Sequence, residues 1–420
     1  MTTSARDQRT PLRQTWLRLL RIPNVRRLAE TRVLTNMYFY SAVLVRFEMD
    51  RGLNFTEIFL LESVLSLAIW LLDIPTGVWA DRIGYRRLLI VSRLLNAASV
   101  MVTLFAHGFL LFAVGSILFG AGVACDSGCE DAILIRTLTN AEQAEGAEGV
   151  KNSSSAFALL GAASSAGFFI GLVTGSLFAA HDPTIAVVAT LFPATLAIGV
   201  TWMLRPFALH SDVGEAEIAD IAEAPARPLA QAWRLIRREP ALVGLSLVQS
   251  ASWVCVNAIF WYNQPLLGRA GVAAQWFGPL TAIAVVFGVV VPLLTPLARR
   301  WLSRRACFGL SLLTPGLAYL ALARVTQAWA VVALLALVVG GSAWREPLLR
   351  EALNERIDDR ARATTLSALS FIGAVAGALA NALVGRAGDA GLIVVGYSLG
   401  LTLLALGLLA PWLMAPEPVG

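Results

Sequence analysis

Residues 73–87, DIPTGVWADRIGYRR, decide how this chain is folded. An apolar run over 55–72 precedes them, and a second apolar run begins at Leu88. A helix crossing a bilayer needs roughly 20 mostly apolar residues. Two spans joined by so short a connection must therefore return antiparallel, with the connection on one membrane face. Gly77 and Gly84 permit close backbone approach or a tight turn at its two ends. Asp81 is the one acid among Arg82, Arg86 and Arg87. The arginines are expected to hold the loop in the cytoplasm. Asp81 is suited to accept hydrogen bonds from the N-terminus of another helix.

The rest of the chain agrees with a polytopic membrane protein. Of its 420 residues, 57% are hydrophobic and only 15% charged, against about a quarter charged in soluble domains. Mean hydropathy is +0.68. About twelve stretches satisfy the length rule for a span, which predicts an all-α fold of twelve transmembrane helices. The net charge of +5 then reflects topology and is no signal for nucleic acid. The four cysteines suggest no disulfide framework, and Cys125 and Cys129 have no nearby histidine to complete a metal site. No phosphate-binding loop of the GxxxxGK[ST] type and no hydrolytic constellation is present. A primary pump and an enzyme are thereby disfavoured, and no cofactor is expected.

The first thirty residues are basic and lack the apolar core of a signal peptide; residues 16–27 are expected to lie along the inner membrane surface. A first bundle is expected over 31–204, with spans near 31–47, 55–79, 88–106, 109–132, 153–180 and 184–204. A polar linker, 205–239, follows, and a second bundle occupies 240–414 before a short tail, 415–420. With this topology 28 of the 33 basic residues fall on one side. The positive-inside rule then places both termini and the linker in the cytoplasm.

The two halves repeat. Ala80-Asp81-Arg82 and Arg86-Arg87 align with Ala298-Arg299-Arg300 and Arg304-Arg305 at an offset of 218. Near Leu138 and Leu353 the offset is 215, which sets Glu130 opposite Arg345 and Asp131 opposite Glu346. Parallel repeats of six spans are a transporter signature. Gly77, Ala80-Asp81-Arg82, Gly84 and Arg86-Arg87 resemble the signature loop between helices 2 and 3 of the major facilitator superfamily. Residues 353–367, LNERIDDRARATTLS, resemble bacterial members as well. The resemblance implies two pseudo-symmetric six-helix bundles around a central cavity, working by alternating access. It also implies that Asp81 meets the start of span 11, near Thr364 and Thr365, when the inner face is closed. Glu130 and Arg345 would form a second bridge there.

Charges inside a membrane are costly and point to function. In the fourth span Asp126 and Glu130 are four apart, so on one helix they would repel and share a proton; if the span ends near Gly128, Glu130 and Asp131 form a solvated helix end instead. Glu62 lies two turns into the second span, within reach of Arg46 for an ion pair. Gln249, Trp253, Asn257 and Trp261 make a polar and aromatic stripe along the seventh span, suited to line a substrate cavity. Tyr38, Tyr40 and Trp344 are further candidates, of which Tyr38 and Tyr40 point to different faces. Gly167, Gly171 and Gly175 form a close-packing stripe. Drug–proton antiporters of this superfamily carry a Gly-Pro pair in the fifth span and an arginine in the fourth. Here the proline is missing and the fourth span has Ser116 and Gly120, which weakens that subtype.

The resulting expectation is a monomeric secondary transporter in the inner membrane, exporting a small organic or amphipathic substrate against proton entry. Uncoupled metabolite uptake, lipid flipping and a non-transporting receptor are the alternatives.

Overall fold

The computed structural model describes residues 12–145, 153–178, 182–206, 237–238, 240–354 and 362–413. All of the expected linker but its ends, residues 146–152 and 355–361 of the two polar stretches, and the tail lie outside them. No strand occurs among the described residues. Eleven helical stretches are long and apolar enough to cross a membrane.

The first half contains α1 (Leu12–Leu19), α2 (Pro23–Asn36), α3 (Leu44–Asp50), α4 (Phe55–Ile83), α5 (Tyr85–Phe105), α6 (Gly108–Asp126), α7 (Cys129–Glu145), α8 (Ser153–Phe178) and α9 (Pro183–Trp202). The second contains α10 (Pro240–Arg269), α11 (Phe277–Leu293), α12 (Thr295–Ala298), α13 (Arg304–Leu322), α14 (Ala328–Asn354), α15 (Arg362–Asp389) and α16 (Leu392–Leu409).

Three expectations about helix continuity need correction. The stretch 73–87 is no loop: α4 runs through it to Ile83, and α5 starts at Tyr85. The whole connection is Gly84, at φ +93°, a region that L side chains rarely adopt. Gly77 meets no neighbouring atom that a Cβ would touch, so it packs against nothing. The first span is not one helix. It breaks after α2 into a 3₁₀ turn, Phe39–Ala42, before α3. The freed Phe39 N–H donates to Thr190 Oγ1 at 3.1 Å, as an interrupted helix in a membrane requires. The fourth span also breaks, at Ser127 and Gly128 (φ +73°), so Asp126 and Glu130 belong to different helices.

The glycine stripe of α8 explains how the broken first segment is held. A Cβ at Gly171 would stand 2.9 Å from Tyr38 N, and one at Gly175 would collide with Phe39. Only bare backbone lets the two segments approach this closely.

Neighbour relations repeat between the halves. The first segment packs on α8, α4 on α6, α5 on α6 and α5 on α9; correspondingly α10 packs on α15, α11 on α14, α13 on α14 and α13 on α16. The two most extensive contacts between the halves are α4 with α15 and α8 with α11, and the repeat exchanges one for the other. This is a pair of six-helix bundles related by a pseudo-twofold axis. Many large apolar side chains are exposed along the helices, and Trp202, Trp301, Trp329 and Trp412 stand exposed at helix ends, where aromatic rings favour the membrane interface.

Candidate functional site

At one end of the molecule the halves are sealed together. Gln264 on α10 accepts from Arg46 N at 3.3 Å, and Ser176 Oγ on α8 donates to Gln275 O at 3.0 Å. Asp389, the last residue of α15, accepts from Phe55 N at 2.8 Å and Thr56 N at 3.2 Å, at the start of α4. Glycines let the backbones meet: a Cβ at Gly385 would stand 2.7 Å from Thr56 Cα. Asp389 satisfies two of the four N–H groups a helix start leaves unpaired, in the favourable field of the helix dipole.

Toward the basic end, a cavity of about 430 Å³ opens at the junction of α4, α10 and α15. It extends from Ser246 and Leu366 to Asn257 and Asn381, with Glu62, Gln249 and Trp253 in its wall. The structure thus brings Glu62 together with three members of the α10 stripe. Beyond this level Asn381 Nδ2 donates to Ser63 Oγ at 3.3 Å, linking the halves. Gln249 Nε2 donates to Glu346 Oε2 at 3.1 Å. Trp261, the fourth member of the stripe, lines a smaller neighbouring cavity with Tyr40, and Trp344 packs into the apolar core. The expected pairing of Arg46 with Glu62 is not made: Arg46 is exposed and pairs with Asp50 at 3.8 Å.

A second polar cluster lies within the first half. Arg93 on α5 is 2% exposed and pairs with Asp126 at 3.2 Å and with Glu130. Arg32 on α2 pairs with the same Glu130 and with Asp131 at 3.7 Å. Like-charge repulsion between Asp126 and Glu130 is therefore replaced by a shared cation. Glu130, at 1% exposure, is not the solvated helix end that a break at Gly128 suggests, because α7 starts beneath Arg93. Tyr38, beside Arg93 in a narrow recess, packs edge-on against Phe119.

The bridges expected at the basic face are not formed in this conformation. Asp81 is exposed and accepts from Tyr85 Oη at 2.6 Å; the side chain of Thr364 lies outside the described residues. Arg82 and Arg87 are exposed, whereas Arg86 donates to Trp202 O and lies over its ring. Arg345 is buried in its own half near Ser342 Oγ, at 3.5 Å, away from Glu130. The repeat survives at this level in another form: Arg32–Asp131 in one half corresponds to Gln249–Glu346 in the other.

Arg93, Arg32 and Glu48 escape the sequence reading. A charge within the apolar run that starts at Leu88 was the available signal for Arg93.

The geometry is that of a carrier with a cavity between two bundles, sealed at one end. The sequence matches the Major Facilitator Superfamily over residues 33–381. The chain belongs to that superfamily; it is a secondary transporter and not an enzyme. Solved structures agree in fold. A mutant of the nucleoside transporter NupG superposes with a TM-score of 0.72 at 12% identity, over 92% of this chain and 98% of that one. The peptide transporter POT in complex with sulfate gives 0.70 at 17% identity, over 94% and 96%. A POT family transporter in complex with 5-aminolevulinic acid gives 0.68 at 14%, over 93% and 95%. No curated protein matches the sequence.

Proposed function

We propose that the protein exports a small cationic or neutral amphipathic compound across the inner membrane, driven by proton entry. The observation that carries this reading is the 430 Å³ cavity, whose wall combines one carboxyl group, Glu62, with amides and the exposed ring of Trp253. Its size falls in the range of small-molecule sites, and a few placed polar groups on an apolar wall give such sites their selectivity. Among the described residues no lysine or arginine lines it, which disfavours anions. Glu62 supplies the negative charge that a cation and a proton would contest, so binding of one displaces the other. The basic distribution orients the cavity toward the cytoplasm, and the conformation is then inward-facing. The 12–17% identities to the nucleoside and peptide transporters support the fold only, so neither substrate class is adopted.

Proteoliposomes with an imposed pH gradient test the proposal against a panel of aromatic cations, neutral aromatics and carboxylates. Gradient-driven movement of cations or neutral aromatics, lost in Glu62→Gln, is the expected result. Transport indifferent to the gradient would favour uncoupled movement of a metabolite or lipid. No movement of any member would leave the receptor reading.

A further inference from the structure

The smaller cavity, about 240 Å³, shares Glu62 with the first and encloses a second acid, Glu48 of α3. Glu48 is 6% exposed. Its Oε2 is buried without a hydrogen-bond partner, and so is Trp261 Nε1 in the same wall. An unpaired acceptor and an unpaired donor thus border one space, which is large enough for several waters.

The nearby cations are committed elsewhere. Arg46 is exposed and paired with Asp50, and Arg51 donates to Leu104 O and Ala106 O. From the packed elements the pair is faced by Tyr40, by Ser99 and Thr103 of α5, by Ser116 of α6 and by Trp261 of α10. Among the described residues, Tyr40 is the one titratable group lining this cavity besides the two acids. Two carboxylates enclosed together without a cation cannot both stay charged cheaply, through desolvation and mutual repulsion.

Position supplies a direction. Glu48 lies in the last turn of α3, near the sealed face, whereas Glu62 opens into the cavity on the basic side. We propose that Glu48 is the proton-loading site of the transport cycle and that Glu62 receives its proton from there. Protons arriving from the sealed face, once that face opens, load Glu48. The proton then moves from the Glu48 carboxylic acid to the Glu62 carboxylate, through water or directly, and leaves into the basic-side cavity. Glu48, left as a carboxylate, reloads from the opposite face. One proton crosses per turn, and no other bond changes. The inference rests on the proton-coupled reading above.

Infrared difference spectra of the purified full-length protein, taken across a pH titration without substrate, test the site. The protons themselves are the probe. The carboxylic-acid carbonyl region should show two titrating bands that shift when either partner is changed. Glu48→Gln should remove one band and displace the other, and Glu48→Asp should keep both. A spectrum of Glu48→Gln identical to wild type would overturn the assignment. In proteoliposomes, Glu48→Gln should lose gradient-driven transport while exchange at equal pH persists. Full gradient-driven transport in Glu48→Gln would also overturn it. Failure of wild type to respond to the gradient would instead sink the coupled reading, whatever the spectra show.

Discussion

Arg93 sits eight residues into α5, about 12 Å along the helix axis, with its guanidinium between Asp126 and Glu130. It is the cation that makes two acids four residues apart tolerable inside the first half. Removing one member of a buried ion pair costs about 3–5 kcal/mol, whereas replacing both members is often neutral. Arg93→Met should therefore markedly lower the thermal unfolding temperature in detergent, and adding Glu130→Gln should restore part of it. Equal stability of Arg93→Met and wild type would mean that the cluster carries no structural weight. Spacing alone misread this site, because Asp126 and Glu130 share a face only if the helix is continuous. Partners 33 and 37 residues away in sequence leave no local pattern. That Glu62 and three residues of the α10 stripe border one cavity fits the sequence, since a lone acid or a polar row is costly to keep inside an apolar run.

At the scale of helices, hydropathy located nearly every element but not its interruptions. The first segment contains neither proline nor glycine between Thr31 and Arg51, so nothing local announces its break at Tyr38. The cause lies in α8 and α9, whose glycines and Thr190 accept an irregular backbone. Conversely, Pro75 and Gly77 suggest a loop, yet α4 continues past both. Asp389 is the element-scale counterpart of Asp81, an acid at the end of one helix set against the start of another. An exposed charge at a helix N-terminus contributes up to ~1 kcal/mol, about fivefold in an equilibrium. Asp389→Asn should shift the population several-fold toward opening at the sealed face. Spin-label distances across that face would read the change, and an unaltered distribution would show that the remaining contacts of that face hold the seal without it.

For the whole molecule, twelve segments, the internal repeat and the two-bundle plan were all legible, because lipid imposes one length and one polarity on every crossing. The conformation was not, since one sequence encodes every state of a carrier. On the orientation expected from the basic residues, a cysteine placed at Glu215 in a cysteine-free variant should react only after the membrane is permeabilised. Labelling in intact cells would reverse the assignment. The antiparallel pair α4 and α15 has a wider consequence. Each helix ends in or near an aspartate, and that of α15 reaches the start of α4. Asp389 is engaged here and Asp81 is turned toward Tyr85. On the expectation that Asp81 meets the start of α15 once the basic face closes, opening one end of this pair while closing the other would exchange one carboxylate-to-amide contact for a second of the same kind. The exchange is close to thermoneutral, like a balance with equal weights on its arms. A few kcal/mol from a bound solute or a proton is then enough to tip it.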